Sequence, residues 1–120
     1  MTIELRHVPV ISVSDEELLS IACDKYLSAD EIVASVVSVT EVDSSHVAVS
    51  PATLTITNIV VGSTAKYFEN LKRTVPANEM IHMLVSGQAA GNTYRLRVKF
   101  KTNSTPVRTK NVVAVFKVAS

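Results

Sequence analysis

Residues 94 to 101, YRLRVKFK, alternate apolar and basic side chains without a break: Tyr94, Leu96, Val98 and Phe100 against Arg95, Arg97, Lys99 and Lys101. A repeat of two is that of an extended strand, whose successive side chains leave opposite faces, and a helix cannot sort these residues in that way. The stretch therefore requires a core on one side and water or a partner on the other. Neighbouring segments have the same character. IVASVVSVTEV (32–42), TLTITNIVV (53–61), EMIHMLVSG (79–87) and RTKNVVAVFKV (108–118) are rich in β-branched residues that fit a pleated surface, and HVAVS (46–50) reads as a further short strand before Pro51. The segment 32–42 is expected to be central in its sheet. With a strand over Leu19, Ile21 and Cys23, preferred to a helix capped by Ser14 because those apolar positions alternate, the chain has about seven strands at intervals of roughly ten residues. That is the pattern of an all-β sandwich.

The length of 120 residues suits one core and is short for two, so residues 14–120 are read as a single β-sandwich domain. Residues 1–13, with Ile3, Leu5, Val8 and Val10 around Pro9, are read as an extended N-terminal arm or edge strand, since proline is tolerated at an edge and not in mid-sheet. Residues 62–78 read as a long polar loop, with Lys66, Lys72, Arg73 and Pro76. Cys23 is the only cysteine, so no internal disulfide forms and the fold stands on packing. Twelve basic and eleven acidic residues leave a net charge of +1, which gives no overall pull towards nucleic acid or an anionic membrane. With neither a cationic leader nor an apolar run of about eighteen residues, the expectation is synthesis in the cytoplasm without a membrane anchor.

No residue pattern in the chain calls for catalysis or a cofactor. Cys23 lies in an alternating apolar stretch with no histidine beside it to activate a thiolate, and reads as a small core residue. His7, His46 and His82 are far apart; Met80 and His82 share a strand face while Met83 takes the other, so copper-type ligands do not converge. The acidic residues Asp15, Glu16, Glu17, Asp24, Asp30 and Glu31 lack the alternation of a calcium loop and read as charged turns and strand ends. Asn103-Ser104-Thr105 reads as hairpin turn chemistry. The basic stripe reads as a solvated strand face able to dock on an acidic protein surface, with Arg108 and Lys110 beside it on the next strand. Nucleic acid is disfavoured, because Tyr94 and Phe100 fall on the inward face and leave no stacking platform.

The passage VSGQAAGNTYRLRV, with Gly87, Gly91 and Tyr94, resembles the "G-x-x-x-G-x-x-Y-x-V-x-V" passage of fibronectin-type and bacterial immunoglobulin-like domains. In those folds a tyrosine at the start of a late strand bonds back to the preceding loop, and Tyr94 is expected to form that corner. Over residues 14–39 and 84–118 the chain also resembles a family of small tailed-bacteriophage virion proteins. The matching features are an acidic start, the bend and strand after Leu27, the G-x-x-G-x-x-Y corner and a closing strand ending in valine. Cys23 and Val37 stand where that pattern has tryptophans.

The resemblance implies an immunoglobulin-like sandwich that is not an enzyme and acts as a structural protein of the virion, most simply a capsid decoration or cement protein. Its partners would be the major capsid protein or neck, tail or fibre proteins, and a homo-oligomer is compatible with it; no nucleic acid or membrane is implied. A neck or tail-fibre adaptor is the alternative, and a carbohydrate-binding adhesion module a further one. Expected contact residues are Ile3, Leu5, Val8 and Val10 of the arm, Tyr67, Phe68 and Leu71 of the long loop, and the stripe Arg95, Arg97, Lys99 and Lys101.

Overall fold

A computed structural model of the chain describes residues 2–5, through their backbone, and residues 16–119. These form nine strands: β1 Thr2–Leu5, β2 Glu17–Ala22, β3 Val33–Val42, β4 Thr55–Val61, β5 Lys66–Phe68, β6 Arg73–Val75, β7 Met80–Ser86, β8 Thr93–Thr102 and β9 Thr109–Lys117. A single 3-10 turn, Asp24–Tyr26, follows β2, and there is no α-helix among the described residues.

The alternating segment becomes β8, which lies inside a four-stranded sheet ordered β1-β9-β8-β3. It pairs antiparallel with β9, placing Leu96 opposite Ala114 and Val98 opposite Val112, and antiparallel with β3 on its other side. β1 closes the far edge in parallel with β9, Thr2 opposite Asn111 and Leu5 opposite Ala114. A second sheet, ordered β2-β7-β4, is antiparallel throughout, and β5 and β6 form a separate two-stranded hairpin.

One core joins the two larger sheets. Leu19 and Ile21 of β2 and Ile81, Met83 and Val85 of β7 meet Leu96, Val98 and Phe100 of β8 and Val112, Ala114 and Phe116 of β9, all buried. Each of these strands contributes alternate residues, so the period of two in the sequence is the cause of the shared core. A smaller cluster of Phe68, Val75 and Met80 holds the hairpin against the outer side of β7, with Ala22 and Leu71 beside it. Gly62 permits a close approach there: a Cβ at this position would stand 2.5 Å from Met80 Cγ and 2.6 Å from His82 Nε2.

Several expectations need correction. The described residues form nine strands, not about seven: β1 adds a strand at the sheet edge, and the segment 62–78 is no plain loop but contains the hairpin β5–β6, which together outnumber the one strand lost at HVAVS. HVAVS is not a strand; only a bridge between Val42 and Ala48 survives, since a tight turn over 43–47 is held by Asp43 Oδ1 accepting from the N–H groups of Ser45, at 2.8 Å, and Val47, at 3.0 Å. β3 is an edge strand, not a central one, with breaks in register against β8 between Val33 and Ser35 and between Val36 and Ser38. Its bulges and short hydroxyl side chains suit an edge, where a continuous ladder would invite unwanted pairing. The strand expected at Leu19 and Ile21 is present as β2, and Cys23 follows it as a fully buried residue.

Candidate interaction surface

The register of β8 sends Arg95, Arg97, Lys99 and Lys101 to the outer face of the four-stranded sheet, opposite the buried Leu96, Val98 and Phe100. Lys117, at the end of β9 and opposite Thr93, shares this face because its neighbour Phe116 is in the core. Lys99, Lys101 and Lys117 are exposed, while Arg95 and Arg97 are half-buried. An Arg97 guanidinium N–H donates to the His46 carbonyl oxygen, which ties the 43–47 turn to the sheet. The cross-strand neighbours of Arg97, Lys99 and Lys101 are Thr40, Ser38 and Ser35 on β3 and Val113, Asn111 and Thr109 on β9. None of these is charged.

Lys110 does not stand beside the stripe. It pairs with the inward Phe100, and its Nζ donates to Glu31 Oε1 at 2.9 Å and to the Tyr26 carbonyl at 2.5 Å. One residue of offset on a strand is enough to send a side chain to the other face. Glu31 is buried, and its Oε1 also accepts from the Ser28 N–H at 2.9 Å. These bonds, the backbone one first and the lysine second, outweigh burial and hold its carboxyl down at about 2. Thr102 adds a weaker pull without reaching Oε2 in hydrogen-bonding geometry. Arg108 lies apart from the stripe as well, lining with Asp30, Glu31, Asn103 and Ser104 a polar depression of about 250 Å³.

The other acidic residues that the structure describes with partners serve as fasteners. Asp24 accepts a bidentate pair from Arg73, at 2.8 and 2.9 Å, which clamps β6 to the 3-10 turn and lowers the Asp24 carboxyl, the hydrogen bond itself being the largest cause. Glu41 points inward opposite Leu96 and accepts from Thr53 N–H at 2.8 Å, Thr53 Oγ1 at 2.5 Å and Leu54 N–H at 2.9 Å, so a buried carboxylate is satisfied by the loop it holds.

At the expected corner, Gly87 and Gly91 have φ of +88° and +76°, the region closed to most side chains. The Ala89 N–H donates to Tyr94 Oη at 2.9 Å, and the Tyr94 ring stacks on Phe116 with 5.7 Å between centroids. A Cβ on Gly87 would come within 2.7 Å of the Thr53 carbonyl oxygen, so this loop and the one after β3 pack backbone against backbone.

Of the contact residues expected on the long loop, Tyr67 is exposed but Phe68 is buried in the hairpin's own core and Leu71 packs against it, because the hairpin has an apolar side of its own to cover. Val8 and Val10 lie outside the described residues, as does His7; Ile3 and Leu5 are placed in β1 by backbone register alone. Met80 and Met83 take opposite faces, Met83 in the main core and Met80 in the smaller one. Sequence reasoning missed the set of polar side chains beside Met80: Ser20 Oγ is 2.8 Å from His82 Nδ1 and accepts from Lys66 Nζ at 3.2 Å. Burial first, and the nearby ammonium second, lower the pKa of this imidazole. The Cys23 thiol is pushed up to about 12 by burial and by Asp24, which keeps it protonated and unreactive. Among the described residues no group of three or more His, Cys, Asp or Glu side chains is gathered to hold a metal ion, and no helix is long and apolar enough to cross a membrane.

The fold defines an all-β protein whose most distinctive surface is a cationic sheet face. No family model matches the chain, and neither the curated proteins nor the solved structures contain a match.

Proposed function

We propose that this chain is an immunoglobulin-like β-sandwich that serves as a structural protein of a bacteriophage particle, a capsid decoration or cement protein binding the assembled lattice. The observation that carries the reading is the strand order β1-β9-β8-β3 against β2-β7-β4 around one core. A first described strand running parallel to the last, two sheets joined by crossing connections, and a tyrosine bonded to its own corner at the start of the penultimate strand support the immunoglobulin-like reading. The fold alone hosts many functions, so the virion assignment leans on the resemblance of residues 14–39 and 84–118 to small tailed-phage proteins.

Such a protein needs no reaction. Binding only the assembled lattice stabilises it by mass action, and repeated copies add avidity. The experiment is sedimentation of the purified protein with particles lacking it, in low and high salt, scoring copies bound and the particle's melting temperature. Many copies with a raised melting temperature are expected. A few copies at the tail end would instead assign a neck or fibre adaptor, and no binding to particles would overturn the virion reading.

A further inference from the structure

The polar depression beside Arg108 has no part in the virion reading. It lies where two connections meet, the bend 28–31 that leads into β3 and the turn 103–108 between β8 and β9. Both are held by their own bonds. The Glu31 carboxylate accepts from the Ser28 N–H at 2.9 Å, and the Glu31 N–H donates to the Ser28 carbonyl at 3.0 Å. The Ile32 N–H donates to Asn103 Oδ1 at 2.8 Å, and the Asn103 N–H returns a bond to the Ile32 carbonyl at 3.3 Å, so bend and turn are stitched to each other. Thr102 closes the turn by donating its N–H to the Arg108 carbonyl at 2.9 Å. The walls are therefore set before any ligand arrives, which lowers the ordering cost of binding.

Two side chains of opposite sign are left unspent on these walls. Among the described residues neither the Asp30 carboxylate nor the Arg108 guanidinium has a hydrogen-bond or ion-pair partner, and the two are not paired with each other although both residues line the same depression. The other charge in the lining, on Glu31, is matched by Lys110 at 2.9 Å. Glu31 Oε2 is nevertheless buried without a hydrogen-bond partner among the described residues, and an acceptor in that state favours a ligand that brings donors.

We propose that this depression binds a small zwitterion, a free amino acid whose carboxylate is taken by Arg108 and whose ammonium is taken at the Asp30 side. The site goes beyond the proposed function and does not rest on it. Electrostatics selects the class of ligand. A lone anion drawn to Arg108 is repelled by Asp30, and a lone cation meets the reverse, whereas a molecule carrying both charges gains from both. A carboxylate also matches the guanidinium fork, which offers it two parallel bonds. The Ser104 hydroxyl already donates to the Pro106 carbonyl at 3.0 Å, so towards a ligand it is an acceptor, as an ammonium requires. The volume of about 250 Å³ falls below the roughly 300–1,000 Å³ of sites that take drug-sized ligands, so the occupant is small.

The test is a nuclear magnetic resonance titration of the whole isotope-labelled protein at neutral pH and constant ionic strength, following the amides of Asp30, Ser104 and Arg108. The probes are glycine, β-alanine and γ-aminobutyrate, which differ in the separation of their two charges, with acetate, ethylammonium and glucose as competitors of other kinds. At least one of the three amino acids is expected to give saturating shifts in the millimolar range, as suits a ligand of so few atoms, and to bind about tenfold more tightly than any competitor. Arg108→Gln and Asp30→Asn should each weaken its binding by about tenfold, and should turn the preference towards ethylammonium and acetate respectively, because one pole of the site is gone in each. Both residues are exposed, and asparagine tolerates the φ of +65° found at Asp30, so neither change threatens the fold. Lys99→Gln, an exposed change on the sheet face, should leave binding unaltered. Shifts that fail to saturate, a single-charge competitor or glucose binding as tightly as every amino acid, or variants that bind as the wild type does would each overturn the proposal. None of these outcomes bears on the sedimentation experiment, which tests the virion reading separately.

Discussion

A single buried carboxylate gives this protein a specific dependence on acid. Glu31 is held at about 2, below the ordinary 4.5, by the Ser28 N–H and by Lys110. A carboxyl lowered on folding contributes stability that is complete above the unfolded value and is lost as the pH falls from about 4.5 towards about 2, where the native state must also take up the proton. Urea denaturation across that interval should show the wild type losing stability. Glu31→Gln should be less stable at neutral pH by about 1–3 kcal/mol, the cost of disturbing a buried charge-assisted pair, and should show a shallower fall on acidification. Equal slopes for the two proteins would remove Glu31 from the account. The role was only half visible in the sequence: Asp30 and Glu31 mark a bend, and Asp30 does sit there with φ of +65°, but the lysine that meets Glu31 is 79 residues away and its face depends on the register of β9.

The elements differ in how plainly the chain declares them. β7, β8 and β9 are long; β8 buries alternate residues, and β7 and β9 add runs of buried apolar residues on both faces, Met80–Ile81 and Val112–Ala114, so their existence follows from the pattern of apolar side chains. β5 and β6 have three residues each, too few for any period to stand out, and they exist because Phe68 and Val75 find an apolar patch at Met80. The position of β3 is hidden for a related reason. Its run of valines reads as a buried strand, yet whether a strand is central or at an edge is decided by which other strands pair with it, and the valines at 36, 37 and 39 are only partly buried or exposed. The hairpin should also respond to pH. Protonating His82 makes both ring nitrogens donors and sets a second positive charge near Lys66. Since burial and Lys66 hold the imidazole below 6.5, folding stability from this site is present above that pH and declines as the pH falls through it. The protection of the Lys66–Phe68 amides, meaning their exchange relative to the intrinsic rate at each pH, should therefore fall on mild acidification in the wild type and change little in His82→Gln; the same loss of protection in both proteins would show that His82 is not the cause.

At the scale of the whole molecule, β8 divides the labour between its two faces. Lys99→Gln/Lys101→Gln should move the thermal midpoint very little, because exposed substitutions away from special features stay within about 0.5 kcal/mol. Leu96→Ala, only a few residues away on the same strand, should cost about 2–5 kcal/mol through loss of buried contacts and the cavity left behind. Comparable midpoints for the two would contradict the assignment of faces. The division itself was legible in YRLRVKFK. That Arg97, Lys99 and Lys101 are left without acids opposite them was not, because it requires knowing that β3 and β9 flank the row and that Glu41 turns inward.

The parallel pairing of β1 with β9 governs how the molecule would bear tension. If the polypeptide is pulled at its two ends, the load travels in opposite directions along two strands that lie side by side, from Thr2 beside Asn111 to Leu5 beside Ala114. The hydrogen bonds between them are then sheared together, whereas peeling would break them in succession. A protein so connected resists stretching along its length most strongly at the seam where its first strand meets its last.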